Sequence, residues 1–117
     1  GVYADMDVGL MARLVQNLVE NAFKYTAEGG RVSVRLASDG QKLTFSVSDN
    51  GIGIEKKDLP HIWERFWQAD SSRGVDRGSG LGLSMVKQIA DAHGGKLGVE
   101  SSPGEGSTFS YSMDCSN

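Results

Sequence analysis

Apolar residues near the start of the chain recur with the period of an α-helix. Over residues 7–25 they are spaced three and four apart, so at about 100° per residue they fill one broad arc. Asp7 is a residue type that favours a helix N-terminus. The pattern therefore predicts an amphipathic helix over residues 7–25. Asn17, Asn21 and Lys24 fall together at the edge of the arc, where the buried face meets the surface.

Apolar and polar residues then alternate with a period of two, which is typical of strands that bury one face. One run covers residues 31–37, a second ends at Asp49, and Asp39 and Gly40 between them predict a hairpin turn. The side chains expected on the buried face are Val32, Val34, Leu36, Leu43, Phe45 and Val47. Asp49 keeps the parity of the apolar positions.

The second half of the chain predicts a short helix capped by Asp58 and then a long loop over residues 68–82. A second long helix is expected over residues 81–93, followed by strands at 96–100 and 107–113. Trp63, Phe66 and Trp67, at near-helical spacing, are expected in the core. Helices packed on one face of a mostly antiparallel sheet make the fold class α+β.

Composition narrows the class of protein further. The 117 residues, 38% of them hydrophobic, suit one domain with its own core, so residues 1–117 are expected to form a single domain. With 12 Lys and Arg against 15 Asp and Glu, the net charge of −3 argues against nucleic acid as a partner. A single cysteine, Cys115, permits no internal disulfide. No apolar run approaches the roughly 20 residues of a membrane span, so no membrane contact is expected from these residues.

Glycine is the unusual residue, with 16 copies that cluster rather than spread. Residues 78–83 (GSGLGL) lead directly into the second long helix, where glycines expose backbone N–H groups and the helix dipole favours an anion. Phosphate is the natural ligand, although the run lacks the Gly-Lys-Ser/Thr of a P-loop. A flexible hinge is the alternative.

Two further features predict chemistry. A carboxylate at Asp49 that points toward the core needs a hydrogen-bond donor, which is either a ligand or the backbone of its own turn through an Asx bond. The Asn17, Asn21 and Lys24 face offers amide oxygens suited to Mg²⁺ and a cation suited to phosphate. A solvated helix face is the alternative for these three residues.

Four motifs occur in a familiar order: residues 17–26 (NLVENAFKYT), 49–54 (DNGIGI), 64–66 (ERF) and 78–83 (GSGLGL). In this order and spacing the sequence resembles the catalytic and ATP-binding domain of bacterial sensor histidine kinases. The resemblance covers essentially the whole chain. It implies the Bergerat ATP-binding fold, a two-layer α/β sandwich in which three helices cover one face of a mixed sheet.

The resemblance also implies roles for individual residues. Asp49 would accept the adenine amino group, and Thr108, in a GEGSTF run, would support the base beside it. Asn21 and Asn17 would hold Mg²⁺, and Asn17 and Lys24 would act at the reacting phosphate. The remaining nucleotide contacts would come from Tyr25, Gly51, Ile52, Gly53, Phe66, Arg73, Arg77, Gly78, Ser79, Gly80, Leu81, Gly82 and Leu83. Trp67-Gln68 departs from the family's frequent Tyr-Arg, so Arg73 and Arg77 are the candidates for the γ-phosphate.

The reaction that the resemblance implies is phosphoryl transfer from ATP to a histidine. Related gyrase-like and mismatch-repair ATPases carry a glutamate general base where this chain has Asn17, and an asparagine cannot accept that proton. The acceptor histidine of the family lies on a separate dimerisation domain, and neither His61 nor His93 stands in such a context. The expected partners are that domain and a response regulator receiver domain, with the chain being the cytoplasmic part of a membrane-anchored sensor. A nucleotide-sensing module without transfer, an ATPase and an anti-sigma serine kinase are the alternatives.

Overall fold

A computed structural model of the protein describes residues 7–26, 29–64 and 82–114. The first helix, α1, spans Val8–Tyr25. The Asp7 carboxylate caps it by accepting a hydrogen bond from the Leu10 N–H at 3.0 Å, as the sequence predicted. Leu14, Leu18 and Ala22 form its buried face.

The strands form one antiparallel sheet. In chain order they are β1 (Val32–Ser38), β2 (Lys42–Asp49), β3 (Lys96–Ser102) and β4 (Gly106–Asp114), and in space the order is β1-β2-β4-β3. The β1–β2 turn is the predicted hairpin, with Gly40 at φ 89° and the Asp39 carboxylate accepting from the Gln41 and Lys42 N–H groups. Because β2 and β4 pair antiparallel, the C-terminal end of β2 lies beside the N-terminal end of β4.

The second helix, α2, spans Gly82–Ala92 and packs beside α1 over the sheet. Its C-terminal turn is held by His93, whose Nδ1 lies 2.9 Å from the carbonyl oxygen of Ile89. Trp63 is partly buried and meets the buried Phe109 edge to face with ring centroids 5.8 Å apart, so it packs against the core as predicted. Phe66 and Trp67 lie outside the described residues. The buried apolar residues are Leu14, Leu18, Ala22, Val47, Ile62, Val86, Ile89, Ala90, Phe109, Tyr111 and Met113.

The α+β class is confirmed, and two details of the expected fold change. The four described strands pair antiparallel throughout, whereas the resemblance implied a mixed sheet. Two α-helices, rather than three, lie within the described ranges. Residues 59–61 form only a single 3₁₀ turn that includes Pro60, and the Asp58 side chain makes no capping hydrogen bond there.

The prediction of a half-buried β1 was wrong along most of the strand. Val34 and Leu36 are 55% and 67% exposed, and only Val32 is partly covered. The reason is the strand's place at the edge of the sheet, because the buried residues of the sheet come from the two central strands, β2 and β4. Among the described helices, none has both the length and the apolar character needed to cross a bilayer.

Candidate functional site

The C-terminal half of α1 forms one wall of a cleft at the end of the sheet. Asn21 and Tyr25 lie one turn apart on the same side of α1, and both line this cleft. Lys24, in the last turn, is exposed. Asn21 and Tyr25 were predicted as ligand contacts, and the structure places both beside Asp49.

The turn that follows β2 is seated on the end of α1. The Ile52 N–H donates to the Tyr25 carbonyl at 3.1 Å, and a Cβ added at Gly51 would lie 2.0 Å from the same oxygen. Only glycine permits this approach at residue 51. The closely packed backbone explains why a glycine occurs here, and it ties the predicted base-binding turn to the predicted metal-binding helix.

The same turn is also held by the β3–β4 connection. The Gly104 N–H donates to the Ile52 carbonyl at 2.8 Å, and the Ile54 N–H donates to the Ser101 hydroxyl at 2.7 Å. Gly53 has φ 74°, and a Cβ there would lie 2.0 Å from the Ser102 carbonyl oxygen. Residues 51–54 are thus fixed from both sides before any ligand binds.

Asp49 is the central titratable group of the cleft. Its Oδ1 accepts the Gly51 N–H at 2.9 Å, which is the Asx bond that the sequence left open as an alternative. Burial raises the pKa of the Asp49 carboxyl above its ordinary value, while hydrogen bonds from the backbone of Gly51 and Ser107 act in the opposite direction. The Asx bond and a ligand role are compatible, because a carboxylate has about four acceptor sites.

The residue beside Asp49 on β4 is Ser107, and Thr108 is not. In the β2–β4 register Asp49 pairs with Ser107, while Thr108 pairs with Ser48. The Thr108 hydroxyl lies 2.9 Å from that of Ser48, on the opposite face of the sheet from Asp49. The predicted position of Thr108 beside Asp49 is therefore corrected to Ser107, which is 8% exposed.

The parity of the strand could have located Ser107 from the sequence. Phe109, Tyr111 and Met113 are the buried residues of β4, and Ser107 shares their odd numbering while Thr108 does not. Asp49 was assigned to the buried face of β2 by the same rule. Ile54 was missed as well, since nothing in a lone isoleucine after a glycine turn indicates a pocket.

The cleft brings together residues from five parts of the chain. Its volume is about 20 Å³, so a base that enters must displace the side chains at the mouth, where Ile52 is 44% exposed. α2 contributes Leu83 from its first turn, beside the exposed Gly82. The lining residues are Asn21, Tyr25, Asp49, Ile52, Gly53, Ile54, Leu83 and Ser107.

Asn17 lies one helical turn before Asn21 and carries an unpaired polar atom. Among the buried side-chain nitrogen and oxygen atoms of the described residues, the Nδ2 of Asn17 is the one that has no hydrogen-bond partner. A buried NH₂ group without a partner is costly, and because it only donates, it fits an acceptor that a ligand supplies. Amide oxygens are also the ligand type that Mg²⁺ accepts, so Asn17 and Asn21 fit the predicted magnesium site.

Several predicted contacts fall outside the described residues. They are Phe66, Arg73, Arg77, Gly78, Ser79, Gly80 and Leu81. Their assignment to the nucleotide remains a prediction.

A much larger cavity lies elsewhere and does not suit phosphate. It measures about 570 Å³ and lies between the first half of α1 and the far end of the sheet, with Met11, Leu36, Phe45 and Tyr111 among its lining residues. Its walls are almost wholly apolar, whereas a phosphate needs N–H donors and positive charge. The smaller cleft beside Asp49 is therefore the candidate ligand site.

Comparison with known proteins places the chain in one family. Residues 6–117 match the model of the histidine kinase-, DNA gyrase B-, and HSP90-like ATPases. The phosphate regulon sensor protein PhoR of Pseudomonas aeruginosa is 47% identical over 94 residues, which are 80% of this chain and 21% of that protein. The sensor histidine kinase WalK of Bacillus subtilis is 36% identical over 115 residues, which are 96% of this chain and 19% of WalK. The chain thus spans about a fifth of these two relatives.

Solved structures agree with the sequence relatives. The mycobacterial sensor histidine kinase MprB superposes with a TM-score of 0.85 at 34% identity, covering 94% of this chain and 75% of that one. Full-length ShkA in complex with AMPPNP superposes with a TM-score of 0.81 at 33% identity, covering 95% of this chain and 23% of ShkA.

Proposed function

Because the chain belongs to the family of histidine kinase-, DNA gyrase B-, and HSP90-like ATPases, we propose that residues 1–117 are the ATP-binding catalytic domain of a sensor histidine kinase. The domain binds Mg-ATP and transfers the γ-phosphoryl group to a histidine on a separate dimerisation domain. Relatives named sensor histidine kinases and the ShkA complex with AMPPNP support this proposal.

The observation that carries the proposal is the shared cleft of Asp49 and Asn21. An ionised carboxylate only accepts hydrogen bonds, so Asp49 suits the amino group of adenine. Asn21, on α1, lies on the side where the phosphates would extend toward Asn17 and Lys24. A base and a metal-bound triphosphate can therefore be held by groups that the fold already fixes.

Magnesium would be held by the amide oxygens of Asn21 and Asn17, and when bound it would neutralise charge on the phosphates. Lys24 would add a point charge. Glycines and arginines of residues 73–83 would contact the phosphate oxygens. The response regulator receiver domain would act downstream, on the phosphohistidine.

Transfer is favoured over hydrolysis because Asn17 cannot act as a general base. An amide neither accepts a proton near neutral pH nor polarises water as a carboxylate does. The buried and unpaired Nδ2 of Asn17 instead suits a hydrogen bond to a phosphate oxygen. The site therefore orients ATP and leaves the nucleophile to its partner domain.

The reaction is tested by incubating the protein and the separate helical acceptor domain with radiolabelled ATP and magnesium. We expect label on the acceptor that is lost in acid and kept in alkali, which is the signature of phosphohistidine. Label that survives acid would indicate a serine kinase, and free phosphate alone would indicate an ATPase. Binding without any transfer would indicate a nucleotide-sensing module.

Replacing Asn21 with alanine tests the proposed metal site. We expect the magnesium dependence of ATP affinity to disappear in Asn21→Ala, because the alanine offers no ligand oxygen. Titrations of ATP with magnesium and with a chelator measure the effect. Gln16→Ala, on the exposed side of α1, is the matched control and should keep the dependence. A dependence that survives in Asn21→Ala would place the metal elsewhere.

A further inference from the structure

The Ser101 hydroxyl on β3 connects three groups around the cleft. It accepts the Ile54 N–H at 2.7 Å, donates to the Gly106 carbonyl at 2.9 Å, and lies 2.8 Å from the Ser107 hydroxyl. Ser101 and Ser107 are also register partners across β3 and β4. Ser101 itself does not line the cleft beside Asn21, whereas Ser107 and Ile54 both do.

These contacts fix the direction of each proton. A serine hydroxyl has one proton to donate and two lone pairs to accept with. The Gly106 carbonyl can only accept, so the Ser101 proton is committed to it. The Ile54 N–H occupies one lone pair of Ser101, and the Ser107 hydroxyl must donate to the other.

The consequence appears at Ser107. The Ser107 hydroxyl proton points to Ser101, so toward the cleft the Ser107 oxygen can only accept a hydrogen bond. Asp49, its register partner on β2, is an acceptor as well. The side chains of Asp49 and Ser107 therefore offer only hydrogen-bond acceptors to the edge of a bound base.

We propose that Ser101 is a positioning residue that sets base specificity by holding the Ser107 hydroxyl as an acceptor. The proposal rests on the proposed function, since it concerns the nucleotide that enters this cleft. A base with an amino group at this edge, such as adenine, is favoured. A base with a carbonyl oxygen at this edge would bind weakly, because that oxygen and the Ser107 oxygen are both acceptors and neither can supply a proton.

ATP and ITP test the proposal, because ITP carries a carbonyl oxygen where ATP carries the amino group. The measured quantity is the ratio of the ITP and ATP dissociation constants, taken by calorimetry on the whole chain. In Ser101→Ala the Ser107 proton is released and can turn toward the carbonyl of ITP. We expect the ratio to fall by about tenfold, the effect of one hydrogen bond at a buried site.

Two variants separate this role from a structural one. Ser101→Thr keeps the hydroxyl and should restore the wild-type ratio. Ser112→Ala removes a hydroxyl from the far end of β4 and should leave the ratio unchanged. A general loosening of the fold would weaken both nucleotides together and would not move their ratio.

Ser107→Ala tests the proton direction independently of the folding of Ser101→Ala. If Ser107 acts as an acceptor, its loss should weaken ATP binding and leave ITP binding unchanged, so the ratio of the ITP to the ATP dissociation constant should fall. If Ser107 instead acts as a donor, its loss would weaken ITP binding more than ATP binding and raise the ratio, which would overturn the proposal. In the Ser101→Ala/Ser107→Ala double variant the ratio should equal that of Ser107→Ala alone.

The remaining outcomes are distinguishable. A Ser101→Ala protein that binds ATP with an unchanged ratio would overturn the role of Ser101. A wild-type protein that binds neither nucleotide would overturn the proposed function, on which the role depends.

Discussion

Asp49→Asn is expected to abolish measurable ATP binding and to leave the protein folded. The asparagine amide can still accept the Gly51 N–H through its oxygen, so the turn after β2 keeps its Asx bond. Its NH₂ group, however, would then face the adenine amino group, and two donors repel. Losing a charged acceptor and leaving a donor unpaired should weaken ATP by at least about a hundredfold.

The stability of this variant follows from the direction of the Asp49 pKa. Burial raises that pKa in the folded protein, so the folded state binds the proton more tightly than the unfolded state does. The free energy of unfolding therefore falls as the pH rises from the ordinary value of 3.8 through the raised one. An uncharged asparagine avoids this loss. Its free energy of unfolding at neutral pH should not be lower than that of the wild type.

Urea denaturation with and without Mg-ATP measures both effects. The wild type should be stabilised by the nucleotide, and Asp49→Asn should show no such shift. Asp39→Asn is the matched control, because Asp39 lies in the exposed β1–β2 turn at the far end of the sheet and should keep the nucleotide response. A normal ATP shift in Asp49→Asn would remove Asp49 from the base-binding role.

The pH dependence of ATP binding offers a second measurement on the wild type. The proposed acceptor is the ionised carboxylate, so affinity should fall as the pH is lowered toward the raised pKa of Asp49. The loss should begin at a higher pH than an ordinary aspartate would give. Asp39→Asn, in the exposed β1–β2 turn, should keep the transition.

The sequence was most informative where one rule of periodicity applied directly. The helical arc placed Asn21 and Tyr25 on one side of α1, and strand parity placed Asp49 toward the core. Ser107 follows from the same parity on β4, but the motif favoured the threonine one residue later. The error lay in assigning a role by residue type instead of by face.

Other features depend on tertiary structure that no local pattern contains. The alternation in β1 correctly indicated a strand, yet it could not show that Val34 and Leu36 lie on an edge beyond the helix layer. The hydroxyl contacts of Ser101 join residues 47 apart, from Ile54 to Ser101. Serines are common in strands, and only the fold shows which of them forms several hydrogen bonds beside the cleft.

Gly53→Ala is expected to destabilise the protein strongly, because two independent constraints meet at that residue. Its φ of 74° disfavours any side chain, and an added Cβ would lie 2.0 Å from the Ser102 carbonyl oxygen. That atom belongs to the backbone of β3 and cannot turn away as a flexible side chain would. We expect the free energy of unfolding to fall by about 3 kcal/mol or more, in the range of severe single substitutions.

Gly104→Ala separates the two constraints. Gly104 has nearly the same φ, 77°, but an added Cβ would meet no atom within 4 Å. Its substitution should therefore cost about 1 kcal/mol, the strain of the backbone alone. Urea midpoints of the two variants and the wild type measure the difference. Equal losses would mean that the turn at Gly53 can move away from β3, and the cleft beside Asp49 would then be less rigid than the contacts of Ile52 and Ile54 imply.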